Sequence, residues 1–438
     1  MSQPPNIVYL HSHDTGRYVQ PYGHQVVTPN IQLLADQGVL FRQAFCAAPS
    51  CSGSRASFAT GQYPHSNGMM GLAHRGFRLR DTGRHVIHQL RSAGYHSELI
   101  GEQHIAEDPA EIGYDRVHDI PSSHVEWVAP RAVETLCGGL PEPFFVSVGF
   151  FETHRNYFPS SSVRDTLYSL PPANLPDLAA VRDDMAGYKA SARSLDHGVG
   201  SVLNALMTAG LTERTLVICT TDHGLAFPGA KATLTDRGTG VTLILRGPGG
   251  FTGGKVVNAL VSQLDVYPTL CELAGVEVPE FVQGVSLMPL VRGEAAGVRD
   301  ALFTELTYHA AYEPQRAVRT ERCKYIRRYD DGAPVLANVD DSATKDVLIE
   351  LGWFDRPADP EQLYDLVSDP HEMRNLAAEP GRRAVLDELR ARLDAWMEET
   401  DDPLRHGPVE APPGARVNRR SDRSAADPTV AVGEPAAR

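Results

Sequence analysis

Pro49-Ser50-Cys51-Ser52-Gly53-Ser54-Arg55-Ala56-Ser57-Phe58-Ala59-Thr60-Gly61 sets a cysteine at the mouth of a short helix. Ser50 or Ser52 can cap that helix, Ala56 to Ala59 can continue it, and Gly61 can end it. Residue 51 then stands beside backbone N–H groups that have no helical partner. Such a terminus stabilises negative charge and lowers a thiol's pKa, and Arg55, one turn on, adds a fixed cation. The alternative is a buried cysteine ahead of an ordinary helix.

Outward from this helix, the 438 residues are 42% hydrophobic and 22% charged, enough for a large core and more than the usual single domain. One big α/β domain with a smaller partner is expected. The formal net charge of −14 disfavours a nucleic-acid or anionic-membrane partner. Met1-Ser-Gln-Pro-Pro leads straight into a strand at Asn6, with no apolar signal region and no spanning run, so a cytoplasmic protein is expected. Six scattered cysteines, without C-x-x-C spacing, fit neither a zinc ribbon nor a compact disulfide framework.

Asn6-Ile-Val-Tyr-Leu-His11 is rich in β formers and runs into Ser12-His13-Asp14-Thr15-Gly16. A buried parallel strand with polar ligands at its C-terminal tip is the expected layout of an open α/β site, and His13 and Asp14 are metal candidates. Leu216 to Thr221, followed by Asp222-His223-Gly224, repeats the layout. Two strand tips, each with a His/Asp pair, can meet over one metal beside Cys51. Two imidazoles and two carboxylates suit manganese or zinc better than calcium.

Two more strands end in polar residues: His96 to Gly101 before Glu102-Gln103-His104, and Pro143 to Phe151 before Glu152-Thr153-His154. Helices are expected over 28–38, 81–93, 181–206 and 382–399, and a strand or extended feed over 39–45. Three segments are expected: residues 1–294, a smaller domain at 295–408, and a Pro/Ala/Arg/Ser-rich tail at 409–438 read as disordered.

Cys51-Ser-Gly-Ser-Arg55 with Thr60-Gly61 resembles the signature of the formylglycine-dependent sulfatases, C-x-P/A-S-R followed by T-G. Glu361 to Leu376 is similar to the L-Y-D-L…D-P-x-E-x-x-N-L stretch of their C-terminal regions. Gln43 to Gly71, Asp196 to Gly200 and Trp396 to Pro403 resemble the heparan N-sulfatase (N-sulfoglucosamine sulfohydrolase) branch. The resemblance spans about residues 5 to 405. It implies an alkaline phosphatase-like sulfatase fold, with a large mixed sheet flanked by helices and a smaller C-terminal α+β domain. It also implies a sulfohydrolase acting on a sulfate ester or sulfamate of a small sulfated substrate, a sugar by preference, with a homo-oligomer left open.

By the same resemblance, a formylglycine-generating enzyme oxidises Cys51, and the hydrated formylglycine attacks sulfur. His13, Asp14, Asp222 and His223, with residue 51, hold a divalent metal, which the family takes as calcium. Arg55, His104, His154 and Lys231 surround the sulfate, and His154 or His104 protonates the departing atom. Three positions depart from the pattern. Gly53 replaces the Pro or Ala read by the modifying enzyme, Glu102 replaces a substrate-side lysine, and His223 replaces Asn. His223 is closer to the phosphonate monoester hydrolases of the superfamily, which keeps a phosphodiesterase or phosphonate hydrolase as the alternative. Gly53 and Glu102 keep a third reading, a non-catalytic sulfated-glycan-binding homologue.

Overall fold

A computed structural model describes residues 4–160 and 162–432. Eight strands form the large sheet: β1 (Asn6–Ser12), β2 (Val39–Phe45), β3 (His96–Gly101), β4 (Arg116–Val117), β5 (Phe144–Gly149), β6 (Thr215–Thr221), β7 (Leu243–Arg246) and β8 (Lys255–Ser262). Their order is β4-β3-β5-β1-β6-β7-β2-β8, with β7 antiparallel to both neighbours and the remaining pairs parallel. The sheet is therefore mixed, and the C-terminal tips of β3, β5, β1 and β6 stand side by side. In open α/β sheets that edge is where ligands bind.

Alternation along each strand divides the core between the two faces. Ile7, Phe41, Phe145, Leu216 and Ile218 face the helices Cys51–Thr60, Val86–Ser92 and Val266–Ala274. Val8, Leu10, Val146, Val148 and Val217 face Pro29–Gln37, Val125–Cys137 and the 30-residue helix Ala179–Thr208. Asp196 anchors that long helix to the sheet side by accepting hydrogen bonds from the Asn30 and Ile31 N–H groups at the start of Pro29–Gln37. The helix expected over 81–93 is a 3-10 turn, Thr82–Arg84, then Val86–Ser92, because His85 takes an extended backbone and caps the second piece, its Nδ1 accepting from Ile87 N–H at 3.2 Å.

The second sheet is antiparallel, in the order β12-β11-β10-β9, built from β9 (Ala301–Tyr308), β10 (Tyr312–Thr320), β11 (Cys323–Arg328) and β12 (Glu361–Asp365). Leu386, Leu389, Leu393, Trp396 and Met397 recur at helical spacing along Arg383–Glu399 and pack on Val318, Tyr325 and Leu363. Glu305 N–H donates to Ala47 O at 2.9 Å, which ties β9 to the segment leading into Cys51.

The expectation of a disordered tail is corrected for residues 409–432; residues 433–438 lie outside the described ones. Ala411 and Ala415 join the main core, and β13 (Arg416–Val417) pairs with β14 (Val430–Ala431). Asn418 Oδ1 accepts from Arg75 Nη1 at 2.6 Å, Ala425 O accepts from Arg75 Nη2 at 2.9 Å, and Lys345 Nζ donates to Arg423 O at 2.6 Å. A segment poor in apolar residues is held here by side chains from elsewhere in the chain, a signal that its own composition does not contain.

Candidate active site

Helix Cys51–Thr60 begins where β2 ends, and its Cys51 Sγ is enclosed, the residue being 2% exposed. Neither expected serine caps the helix. Ser50 Oγ pairs instead with His309 Nδ1 at 3.0 Å, and Ser52 Oγ accepts from Ala73 N–H at 3.0 Å. The expected fall in the thiol's pKa is also corrected. Burial pushes the Cys51 thiol well up, Asp14 and Asp222 add to that, and Lys231 and Arg55 oppose it.

The two His/Asp tips meet as expected. Gly16 and Gly224 allow this, since a Cβ on Gly16 would lie 3.2 Å from Gly224 Cα and one on Gly224 only 1.8 Å from Arg237 O. Asp14 N–H donates to Asp222 Oδ1 at 2.8 Å. His13 Nδ1 lies 2.9 Å from Asp222 Oδ2, and His223 Nε2 lies 3.3 Å from Asp14 Oδ1 and 3.3 Å from Cys51 Sγ. The Nδ1–H of His223 donates to Gly224 O at 3.0 Å, which leaves the Nε2 lone pair facing the cluster.

Ligand atoms of His13, Asp14, Cys51 and Asp222 lie within 4.8 Å of one another, all four residues buried. His13 Nδ1 and Asp14 Oδ1 make no well-aligned hydrogen bond among the described residues, their polar neighbours being Asp222 at 2.9 Å and His223 at 3.3 Å. Buried polar atoms without partners cost roughly 1–3 kcal/mol each, and a divalent cation among these four would satisfy both. The donor set thus fits a metal. Burial works against ionisation of Asp222, yet His223, Arg55 and His13 hold its carboxyl well below the usual range.

The cations are committed. Arg55 reaches His11 Nδ1 at 2.5 Å, Ser12 O at 2.8 Å and Asp222 Oδ2 at 3.1 Å, so it knots β1 to β6 beneath the cluster. Lys231 Nζ donates to Asp14 Oδ2 at 3.0 Å and lies 3.1 Å from Asp340 Oδ2. Burial would lower the Lys231 pKa, but Asp14 and Asp340 raise it well above the ordinary lysine value.

On the open side, His154 donates Nδ1–H to Arg155 O at 2.5 Å, and its Nε2 stands 4.0 Å from Asp14 Oδ2. His104 sits 5.8 Å, ring to ring, from His13 and bonds His74 through Nε2 at 2.8 Å. Glu102 turns toward both, its carboxylate and the ring nitrogens of His13 and His104 lying within 4.8 Å of one another. Sequence reasoning missed Asp340, His309 and His74. Each sits on a loop whose local pattern carries no catalytic signal, and only the fold brings it in.

A family model described as Sulfatase matches residues 5–276, and one described as N-sulphoglucosamine sulphohydrolase, C-terminal, matches residues 230–338. An ulvan-active sulfatase of Formosa agariphila is 29% identical over 433 residues, covering 95% of this chain and 85% of the relative. The human N-sulphoglucosamine sulphohydrolase is 28% identical, covering 92% and 91%. Among solved structures, a 2-O GAG sulfatase superposes with a TM-score of 0.75 at 24% identity, over 94% of this chain and 96% of the other, which bears out the expected fold. With the family model matching well over half of the chain, and with the strand-tip geometry above, this protein belongs to the sulfatase family.

Proposed function

We propose that the protein is a sulfohydrolase that removes a sulfate ester or sulfamate from a small sulfated sugar, with residue 51 as nucleophile and a divalent metal at His13, Asp14, Asp222 and His223. The observation that carries this reading is the convergence of both His/Asp tips on Cys51, with His13 Nδ1 and Asp14 Oδ1 lacking an aligned hydrogen bond. The sugar rests on two likenesses: the relative named N-sulphoglucosamine sulphohydrolase, and a structure with its substrate D-glucosamine-2-N,6-O-disulfate at a TM-score of 0.72.

When present, formylglycine at 51 supplies the oxygen nucleophile and the metal offsets charge on the sulfate oxygens. The chain's own residues do the rest. Arg55 fixes the Asp222 carboxylate, and Lys231 fixes Asp14. His223 Nε2, 3.3 Å from residue 51 and 3.3 Å from Asp14 Oδ1, is placed to join the ligand set beside the nucleophile. His154, oriented through its Nδ1–H, presents Nε2 to protonate the departing oxygen or nitrogen. His223 also keeps a phosphodiester or phosphonate substrate as the second reading, because an imidazole now stands at that ligand position.

The mass of the tryptic peptide containing residue 51 tests the modification: formylglycine supports the reading, and unmodified thiol from a host that modifies other sulfatases refutes it. Steady-state rates on glucosamine N-sulfate, glucosamine 6-O-sulfate, an aryl sulfate and an aryl phosphonate then separate the two substrate readings.

A further inference from the structure

We propose that Glu102, His104 and His13 form a second divalent-cation site, beside the one between Asp14 and Asp222, suited to zinc or manganese and open on the substrate side. The three ligand atoms come from the tips of β1 and β3 and lie within 4.8 Å of one another. Metal bonds of about 2.1 Å would draw such a set to separations of roughly 3.5 Å, a small closure for side chains at the tips of two strands that flank β5.

Glu102 and His104 are free for the task, and His13 is shared with the first site. Among the described residues no donor bonds the Glu102 carboxylate, although it stands at the mouth of a buried site. His104 Nδ1 is buried and unpartnered, while its Nε2 is engaged by His74 Nδ1 at 2.8 Å with the two rings stacked at 5.0 Å. When His104 donates Nε2–H to His74, the lone pair on Nδ1 is left for a metal, the usual way an outer partner fixes a ligating imidazole. His104 holds φ at 53°, a left-handed conformation rarely adopted outside glycine, so the turn itself fixes where the ring points. His13 is 2% exposed; with its Nδ1 turned to Asp222 at 2.9 Å, Nε2 is the nitrogen it has to offer here, so its ring would bridge the two sites.

Charge points the same way. Asp14, Asp222 and Glu102 face Arg55 and Lys231, and Asp340 also faces Arg155, so the four carboxylates outnumber these cations. A comparable trio elsewhere, His65, Glu305 and Asp402, is already neutralised by buried Arg316, 2.5 Å from Asp402 and 3.7 Å from Glu305. No such side chain reaches Glu102 among the described residues. Two imidazoles and one carboxylate leave a coordination position open, the ligand count of an ion that contacts substrate. Glu102, which removes the lysine expected from sequence, would thereby return positive charge to the same place.

The test uses the full chain, stripped with chelator and titrated with zinc chloride alone, read by calorimetry and by elemental analysis after dialysis. The wild type is expected to hold two zinc ions per chain. Glu102→Gln, nearly isosteric, and His104→Ala should each hold one, with Asp222→Asn losing the other. His74→Ala should weaken the Glu102-dependent ion roughly 10- to 100-fold without changing the count, which keeps the test decisive should His104→Ala misfold. One zinc ion in the wild type, or an unchanged titration for Glu102→Gln, overturns the proposal. The outcome is independent of whether residue 51 becomes formylglycine, so a failure here is distinct from a failure of the sulfohydrolase reading.

Discussion

His223 Nε2 lies 3.3 Å from Cys51 Sγ, and both groups are closed off from solvent. A thiol raised by burial, beside an imidazole whose other nitrogen is already tied to Gly224 O, is a poor nucleophile as it stands. Cys51→Ala is therefore expected to lower kcat/KM by on the order of 10³-fold or more, with a small change in melting midpoint. Cys46→Ala, in the core five residues earlier, should cost roughly 1 kcal/mol of stability and leave the rate within a few fold. Equal rate losses from both would remove residue 51 from its assigned role.

Lys231 is buried between Asp14 and Asp340. Lys231→Met strands two carboxylates, and breaking a buried pair in this way costs about 3–5 kcal/mol. Thermal melts should show the loss, and added divalent metal should recover part of it by taking over the neutralisation of Asp14. A midpoint unmoved by either change would show that the three groups are not coupled.

Asp236 is paired with buried Lys324 at 2.6 Å and with Arg319 at 3.2 Å. Burial opposes its ionisation, but Lys324, Arg319 and Arg17 hold its carboxyl below the usual range. A carboxyl with a depressed folded pKa contributes fully above its unfolded value, about 3.9, and loses that contribution as pH falls below it. Asp236→Asn should be destabilised by about 3 kcal/mol or more at neutral pH and show a shallower decline below about pH 4. Denaturant midpoints at pH 7, 4 and 3 compare the two proteins.

His85 carries the opposite kind of proton linkage. Burial, with a smaller push from His88, lowers its pKa to about 3. Above about pH 6.5 folded and unfolded chains are both neutral at this residue; between there and about 3 only the unfolded chain gains the proton, so stability falls as pH falls. His85→Asn keeps a cap acceptor for Ile87 N–H and has no proton to gain. The loss of stability between pH 7.5 and 5 should shrink by about 2 kcal/mol in this variant.

The strand-then-ligand rhythm at 6–16 and 216–224 was legible because a parallel strand buried on both faces reads as an unbroken apolar run with polar residues at its tip. Helix Val125–Cys137 was not, since Pro130 lies inside it and signals a break, yet tertiary burial of Val128, Ala129, Ala132 and Leu136 carries the helix through. Strand β8 was hidden because it is the sheet edge, with Lys255, Val256 and Asn258 exposed. In the site, residues at strand tips could be read, whereas Asp340 and His74 arrive from loops with no periodicity. Gly53 has a local reason: a Cβ there would lie 3.3 Å from both Ala48 Cβ and Met69 O, tighter than most packed contacts.

The burial of Cys51 has a consequence in time. A side chain this enclosed is out of reach of a modifying enzyme once folding is complete, so any oxidation at this position would have to act on chain that is still open. The residues that brace the loop of Arg75 and the neighbourhood of Lys345 are 418 to 425, far downstream of residue 51. Translation order thus leaves one wall of the site unfinished long after residue 51 has emerged, and that wall closes only when residues 418 to 425 arrive.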